Sequence, residues 1–173
     1  MKFKIDKKSV FNYLLYLGII ALGVATDQLT KLLAVKHLKG NDPINILGDL
    51  FRLRYETNKG MAFGLMEEHR WVFMTVSTVA IIAMLAYLFA VRNQGKLYTV
   101  SISIIASGGI GNMIDRISIG YVVDFFDLKG FAVFNVADSY VCIGAGLLVL
   151  ALITDIVKEA KLNKNKNKED SGK

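Results

Sequence analysis

Two aspartates in this sequence stand where a pair of carboxyl groups can do acid–base chemistry. Asp124 lies in Val122-Val123-Asp124-Phe125-Phe126-Asp127, and Asp138 closes Phe134-Asn135-Val136-Ala137-Asp138. Only a short turn around Lys129-Gly130 separates the two stretches, so connectivity returns both carboxyls to one face. Asn135 is a candidate helix N-cap, because its side-chain oxygen accepts from the first free amides of a helix. That places Asp138 about one turn inside the following helix. Flanked by Phe125, Phe126 and Phe134, two such carboxyls are partly desolvated and share one proton rather than ionise together. The ionised member takes a proton from water and the protonated member donates to a carbonyl oxygen, the logic of aspartic proteases. Paired acids within a membrane also conduct protons or cations, so a transporter using the same acids is the alternative reading.

Other polar residues collect near the same point. Asp27 and Lys31 are four apart and share one helix face, as an ion pair or as part of a site. Gly111-Asn112-Met113-Ile114-Asp115-Arg116 follows Ser103 and Ser107 at four-residue intervals, small residues that let another helix approach closely. Asp115 and Arg116 are adjacent and point different ways, so each is expected to find its partner on another element. A purely structural role would need the acids salt-bridged. Arg116 is the one cation the sequence places nearby, too few for Asp115, Asp124, Asp127 and Asp138. His37 and His69 fall in a polar loop without metal-ligand spacing, and Cys142, the single cysteine, reads as a small packing residue in an apolar run. No metal and no cofactor are expected.

The elements that must position these groups are membrane helices. Residues are 53% hydrophobic, the formal net charge is +6, and the apolar runs are too long for a nucleic-acid module. Four of these runs, about 10–35, 71–91, 97–117 and 134–157, each approach the roughly 20 residues a helix needs to cross a bilayer. Lys2, Lys4, Lys7 and Lys8 precede the first as in a signal peptide, but the run is too long and is read as a permanent helix. Four spans put both termini on one side. The basic tails and the tight turn from Arg92 to Lys96 make that side cytoplasmic. In the long outer loop, Leu50-Phe51-Arg52-Leu53-Arg54-Tyr55-Glu56 alternates as a half-buried strand, Asn58-Lys59-Gly60 signals a turn, and residues 61–64 return as a second strand. The expected fold is therefore an integral membrane all-α protein. It has four transmembrane helices and a small extracytoplasmic β-sheet, about 44–66, between helices 1 and 2. Residues 1–162 form one domain, and the Lys- and Asn-rich stretch 163–173 is a disordered cytoplasmic tail.

Taken together, Asp27-Gln28-Leu29-Thr30-Lys31, Asn58-Lys59-Gly60-Met61-Ala62-Phe63, Gly111-Asn112-Met113-Ile114-Asp115-Arg116, Val122-Val123-Asp124-Phe125 and Phe134-Asn135-Val136-Ala137-Asp138 resemble the lipoprotein signal peptidase (signal peptidase II) family. Met61 stands where the family commonly has a small residue. The resemblance implies an extracytoplasmic β-cradle and cleavage of bacterial prolipoproteins just before a cysteine carrying diacylglycerol. It makes Asp124 and Asp138 the catalytic pair. Asp27, Lys31, Asn58, Gly60, Asn112, Arg116 and Asn135 fall at site-lining or substrate-binding positions, and Asp115 at a supporting one. The implied partners are prolipoprotein substrates and membrane lipid, with no nucleic acid. A monomer in the bacterial inner membrane is expected, with its site near the extracytoplasmic face.

Overall fold

A computed structural model describes residues 7–59, 70–90 and 95–170. Among these residues, four helices and four strands follow in the order α1 (Lys7–Leu38), β1 (Ile44–Leu47), β2 (Phe51–Asn58), α2 (Arg70–Ala90), α3 (Lys96–Ser118), β3 (Val122–Leu128), β4 (Ala132–Phe134) and α4 (Val136–Asp170). Among the described residues, three helical segments are long and apolar enough to cross a membrane: Phe11–Leu38, Lys96–Ser118 and Val136–Lys164. A shorter apolar helical segment, Met74–Leu88, lies within α2.

Helix α3 is central and packs against α1, α2 and α4. Its composition allows this. Ser101, Ser103, Ala106, Ser107, Gly108 and Gly111 are all buried, so neighbouring backbones come close. A β-carbon on Gly108 would strike the Ala137 carbonyl oxygen, and one on Gly111 would strike Asp27 Oδ2. The small-residue stripe thus packs the two helices that carry Asp27 and Asp138. By contrast, α1 and α4 leave Leu22, Leu32, Val149 and Ile153 exposed, which suits a lipid surround.

One face of α1 organises the interior by depth. Ile20, Val24, Asp27, Lys31, Ala34 and Leu38 recur at alternating steps of four and three, the spacing that keeps residues on one stripe. Ile20 and Val24 pack with Ile102, Ala106 and Leu88 in one apolar cluster. Ala34 and Leu38 pack with Val123 and Phe125 in another, which joins the helix to the sheet. Asp27 and Lys31 sit between the two clusters.

The sheet is wholly antiparallel with strand order β1-β2-β3-β4. Among the described residues the sheet therefore extends beyond the one expected between helices 1 and 2, since β3 and β4 come from the connection between α3 and α4. Val122–Leu128 is rich in β-branched and aromatic residues and extends readily. It pairs with β2 over Asn58↔Val122, Glu56↔Asp124 and Arg52↔Asp127. Gly130, at φ 78°, turns β3 back into β4 in a conformation that glycine adopts without strain. Gly60 and the strand expected at 61–64 lie outside the described residues, as does His69.

Three further expectations are corrected. The stretch 163–170, expected to be irregular, continues α4, because adding Lys and Glu to an existing helix requires no new nucleus. Cys142 is exposed on the outside of α4 rather than packed in the interior. His37 belongs to the last turn of α1 and not to a loop.

Candidate active site

The local fold at the start of α4 sets Asp138. The Asp138 amide donates to Asn135 Oδ1 at 2.9 Å, and the Asn135 amide donates back to Asp138 Oδ2 at 3.2 Å. This reciprocal cap uses Asp where a capping box usually has Glu. Asn135 is the N-cap, and Asp138 stands at the third helical position.

The same asparagine reaches the other acid. Asn135 Nδ2 donates to Asp124 Oδ1 at 2.6 Å, and Asn58 Nδ2, at the end of β2, donates to Asp124 Oδ2 at 3.0 Å. Asn112 Nδ2 donates to Asp138 Oδ1 at 2.8 Å. Both carboxyls are thus held by the neutral amides of Asn58, Asn112 and Asn135. Asp124 is buried on β3, while Asp138 and Arg116 are half-buried, which leaves the pair approachable from one side. Burial, and then the charge of Asp138, push the Asp124 carboxyl up to about 7. Arg116 acts electrostatically on Asp138, Asp124 and Asp115, and its Nη1 donates to the Asn112 carbonyl at 3.5 Å.

A second cluster, centred on a buried lysine, lies beside this pair. Lys31 Nζ meets Asp27 Oδ2 at 2.9 Å, Asp115 Oδ2 at 3.0 Å and Asn112 Oδ1 at 2.9 Å. Asp115, expected to find its partner on another element, finds it on α1 and also accepts the Val123 amide of β3 at 3.1 Å. Gln28 was not singled out beforehand, yet its Nε2 donates to Asp115 Oδ1 at 2.9 Å and to the Gly111 carbonyl at 3.1 Å. Its place beside Asp27 in the first motif was the available signal. Asp127 is also neutralised. Arg52 donates to its Oδ2 from Nε at 3.0 Å and from Nη2 at 2.6 Å, and Arg54 Nε lies 3.4 Å away. The acids therefore have more cations than Arg116, because strand pairing and helix packing bring in Arg52, Arg54 and Lys31. Among the expected site residues, Asp27, Lys31, Asn58, Asn112, Asp115, Asn135, Asp124 and Asp138 join one hydrogen-bonded network, with Arg116 at its edge.

The family model described as signal peptidase (SPase) II matches residues 19–154, from within α1 to within α4. The chain is a member of the signal peptidase II family. A lipoprotein signal peptidase of Halothermothrix orenii is 41% identical over 134 residues, covering 78% of this chain and 92% of that protein. One of Halalkalibacterium halodurans is 37% identical over 159 residues, covering 90% and 97%. A solved bacterial membrane enzyme matches the fold with a TM-score of 0.75 at 29% identity, over 82% of this chain and 88% of that one. The signal peptidase II relatives are bacterial, and their family is one of membrane peptidases. The matched span contains every residue of the network described above.

Proposed function

We propose that this protein is a membrane-embedded aspartic endopeptidase in which Asp124 and Asp138 activate water. Its reaction removes the signal peptide from bacterial prolipoproteins, cutting just before the diacylglyceryl-modified cysteine. The observation that carries this reading is the contrast among the acids. Asp27, Asp115 and Asp127 each face a cation within 3.0 Å, whereas Asp124 and Asp138 are held by asparagine amides and share Asn135. Membership of the signal peptidase II family supports the substrate class.

In the proposed reaction Asp124 carries the shared proton, consistent with its raised pKa, and Asp138 is the carboxylate. Asp138 takes a proton from water as the water oxygen attacks the scissile carbonyl carbon. Asp124 gives its proton to the carbonyl oxygen. The tetrahedral intermediate then collapses as the proton on Asp138 passes to the leaving nitrogen and Asp124 recovers its own. Atoms balance with water as the only co-reactant, and no covalent enzyme intermediate forms. Asn58, Asn112 and Asn135 orient the two carboxyls. Arg116 and the stretch around Gly60 are assigned to the substrate backbone, which needs donors and acceptors along its length.

Four helices span the membrane in this reading, including α2, with both termini cytoplasmic and the sheet on the outer surface. The half-buried side of the pair faces the outer interface, and the exposed apolar flanks of α1 and α4 offer the diacylglyceryl chains a lateral route. The protein acts as a monomer. The test is cleavage of a diacylglyceryl-modified prolipoprotein by purified protein in lipid, with Asp124→Asn and Asp138→Asn alongside. Cleavage by the wild type and by neither folded variant is expected. A folded wild type without cleavage, but with a proton or solute flux that depends on these acids, would overturn the peptidase reading.

A further inference from the structure

The charged cluster beside the pair has a symmetry that ion pairing alone does not require. Asp27 Oδ1 accepts the amide of Ala137 at 2.9 Å, and Ala137 immediately precedes Asp138. Asp115 Oδ2 accepts the amide of Val123 at 3.1 Å, and Val123 immediately precedes Asp124. Each supporting carboxylate therefore grips the backbone one residue ahead of one member of the pair. Lys31 joins the two grips, at 2.9 Å and 3.0 Å, and is itself buried.

Its third contact acts on the pair by a separate route. Asn112 Oδ1 accepts from Lys31 Nζ at 2.9 Å and from Asn135 Nδ2 at 3.1 Å. An amide whose oxygen meets two donors must turn its nitrogen the other way, and Asn112 Nδ2 then meets Asp138 Oδ1 at 2.8 Å. The three protons of the ammonium thus go to the Asp138 side, the Asp124 side and the amide that orients Asp138.

We infer that Lys31 is a positioning residue, the centre of a buried brace through Asp27, Asp115 and Asn112 that sets the spacing and orientation of Asp124 and Asp138. This inference rests on the peptidase reading above. A cation that served only to neutralise two buried acids would give a different outcome when the charges are removed together.

The test compares the purified full-length wild type with Asp124→Asn, Asp115→Asn, Lys31→Met and the triple variant Asp27→Asn/Lys31→Met/Asp115→Asn. Asp115→Asn leaves one cation to one buried acid and keeps an oxygen for the Val123 amide, so it is the variant expected to fold. The brace predicts that its kcat falls about tenfold with KM within threefold. For Lys31→Met the expected fall in kcat is at least a hundredfold. The triple variant carries no uncompensated charge. It is expected to regain the wild-type melting temperature but not the wild-type kcat. A folded Asp115→Asn with unchanged kcat, or a triple variant that regains kcat with its stability, would overturn the brace. Hydrogen exchange needs no substrate, and in Asp115→Asn and the triple variant the amides of Val123 and Ala137 are expected to exchange faster. Unchanged exchange at both positions would count against the inference even if the wild type cleaved nothing. Failure of the wild type to cleave would bear on the peptidase reading alone.

Discussion

Replacing Asp124 by asparagine should abolish cleavage and stabilise the fold, and the gain should depend on pH. The Asp124 carboxyl is pushed from 3.8 up to about 7 because it is buried, at 2% exposure, and faces Asp138. A folded-state pKa above the unfolded value means that the folded protein holds a proton the unfolded chain releases. Stability attributable to this group therefore falls as pH rises from about 4 to about 7 and is level beyond. A shift of about three units corresponds to about 4 kcal/mol at 1.36 kcal/mol per unit, fully felt above pH 7. Asparagine removes that cost. It also presents one oxygen and one NH2 to two donors, Asn58 and Asn135, so it forfeits one hydrogen bond worth roughly 1–2 kcal/mol. The net gain near pH 8 is about 2 kcal/mol, while at pH 5 the variant is near neutral or slightly less stable. Thermal unfolding at pH 5, 6, 7 and 8, at about 2–4 °C per kcal/mol for a chain of this size, reads this directly. The difference in Tm between variant and wild type should grow by about 5–10 °C across the series. A difference that stays constant with pH would refute the claim that Asp124 is held protonated by its surroundings.

Three further outcomes follow from the same geometry. Wild-type kcat/KM should fall as pH rises through about 7, because Asp124 then loses the proton that the proposed reaction has it donate, and a pH–rate profile flat to pH 9 would remove Asp124 from that role. Gly108→Ala should lower Tm by about 5 °C or more and lower cleavage with it, because a β-carbon there strikes the Ala137 carbonyl at the start of α4; a thermal melt checks the first and the prolipoprotein assay the second. Truncation after Lys161 should leave cleavage within twofold of wild type when measured in lipid, because the helix around that point is exposed and remote from the network.

Much of the site was legible because its local rules are strong. Asn135 before an apolar run reads as a cap, and the cap fixes Asp138. Asp27 and Lys31 at a spacing of four must share a face. The alternation over Leu50–Glu56 marks a strand, and β2 occupies Phe51–Asn58. What escaped were pairings between distant segments. The β3 strand is defined by β2, 66 residues away at the Asn58–Asp124 contact, and Arg52 reaches Asp127 only once those strands are in register. The spacing of four pairs Lys31 with Asp27, but its contacts to Asn112 and Asp115 depend on how α1 packs on α3 and have no local signal. Cys142 was misread because a membrane helix is apolar on every side, so composition does not tell a lipid-facing position from a core one.

The distribution of charge also bears on why, among the described residues, the side-chain hydrogen bonds to the pair come from asparagines, with Arg116 acting on it through its field. A lysine or arginine placed on a buried carboxylate favours the ionised form and removes a group able to give up a proton. Lys31 and Arg52 lie instead against Asp27, Asp115 and Asp127, to which the proposed reaction gives no proton transfer. Neutral amides orient a carboxyl with less bias between its two states. Asn58 tests this, because it touches Asp124 Oδ2 from the partly exposed end of β2, where a longer side chain has room to adjust. Asn58→Lys should ionise Asp124, remove part of its burial cost and raise Tm at pH 8 by a few degrees. The same variant should lose at least a hundredfold in kcat at pH 7, with its remaining activity shifted toward lower pH, where the carboxyl regains its proton. If Asn58→Lys folded and kept wild-type kcat with an unmoved pH–rate profile, the protonation of Asp124 would not be what the surrounding amides protect.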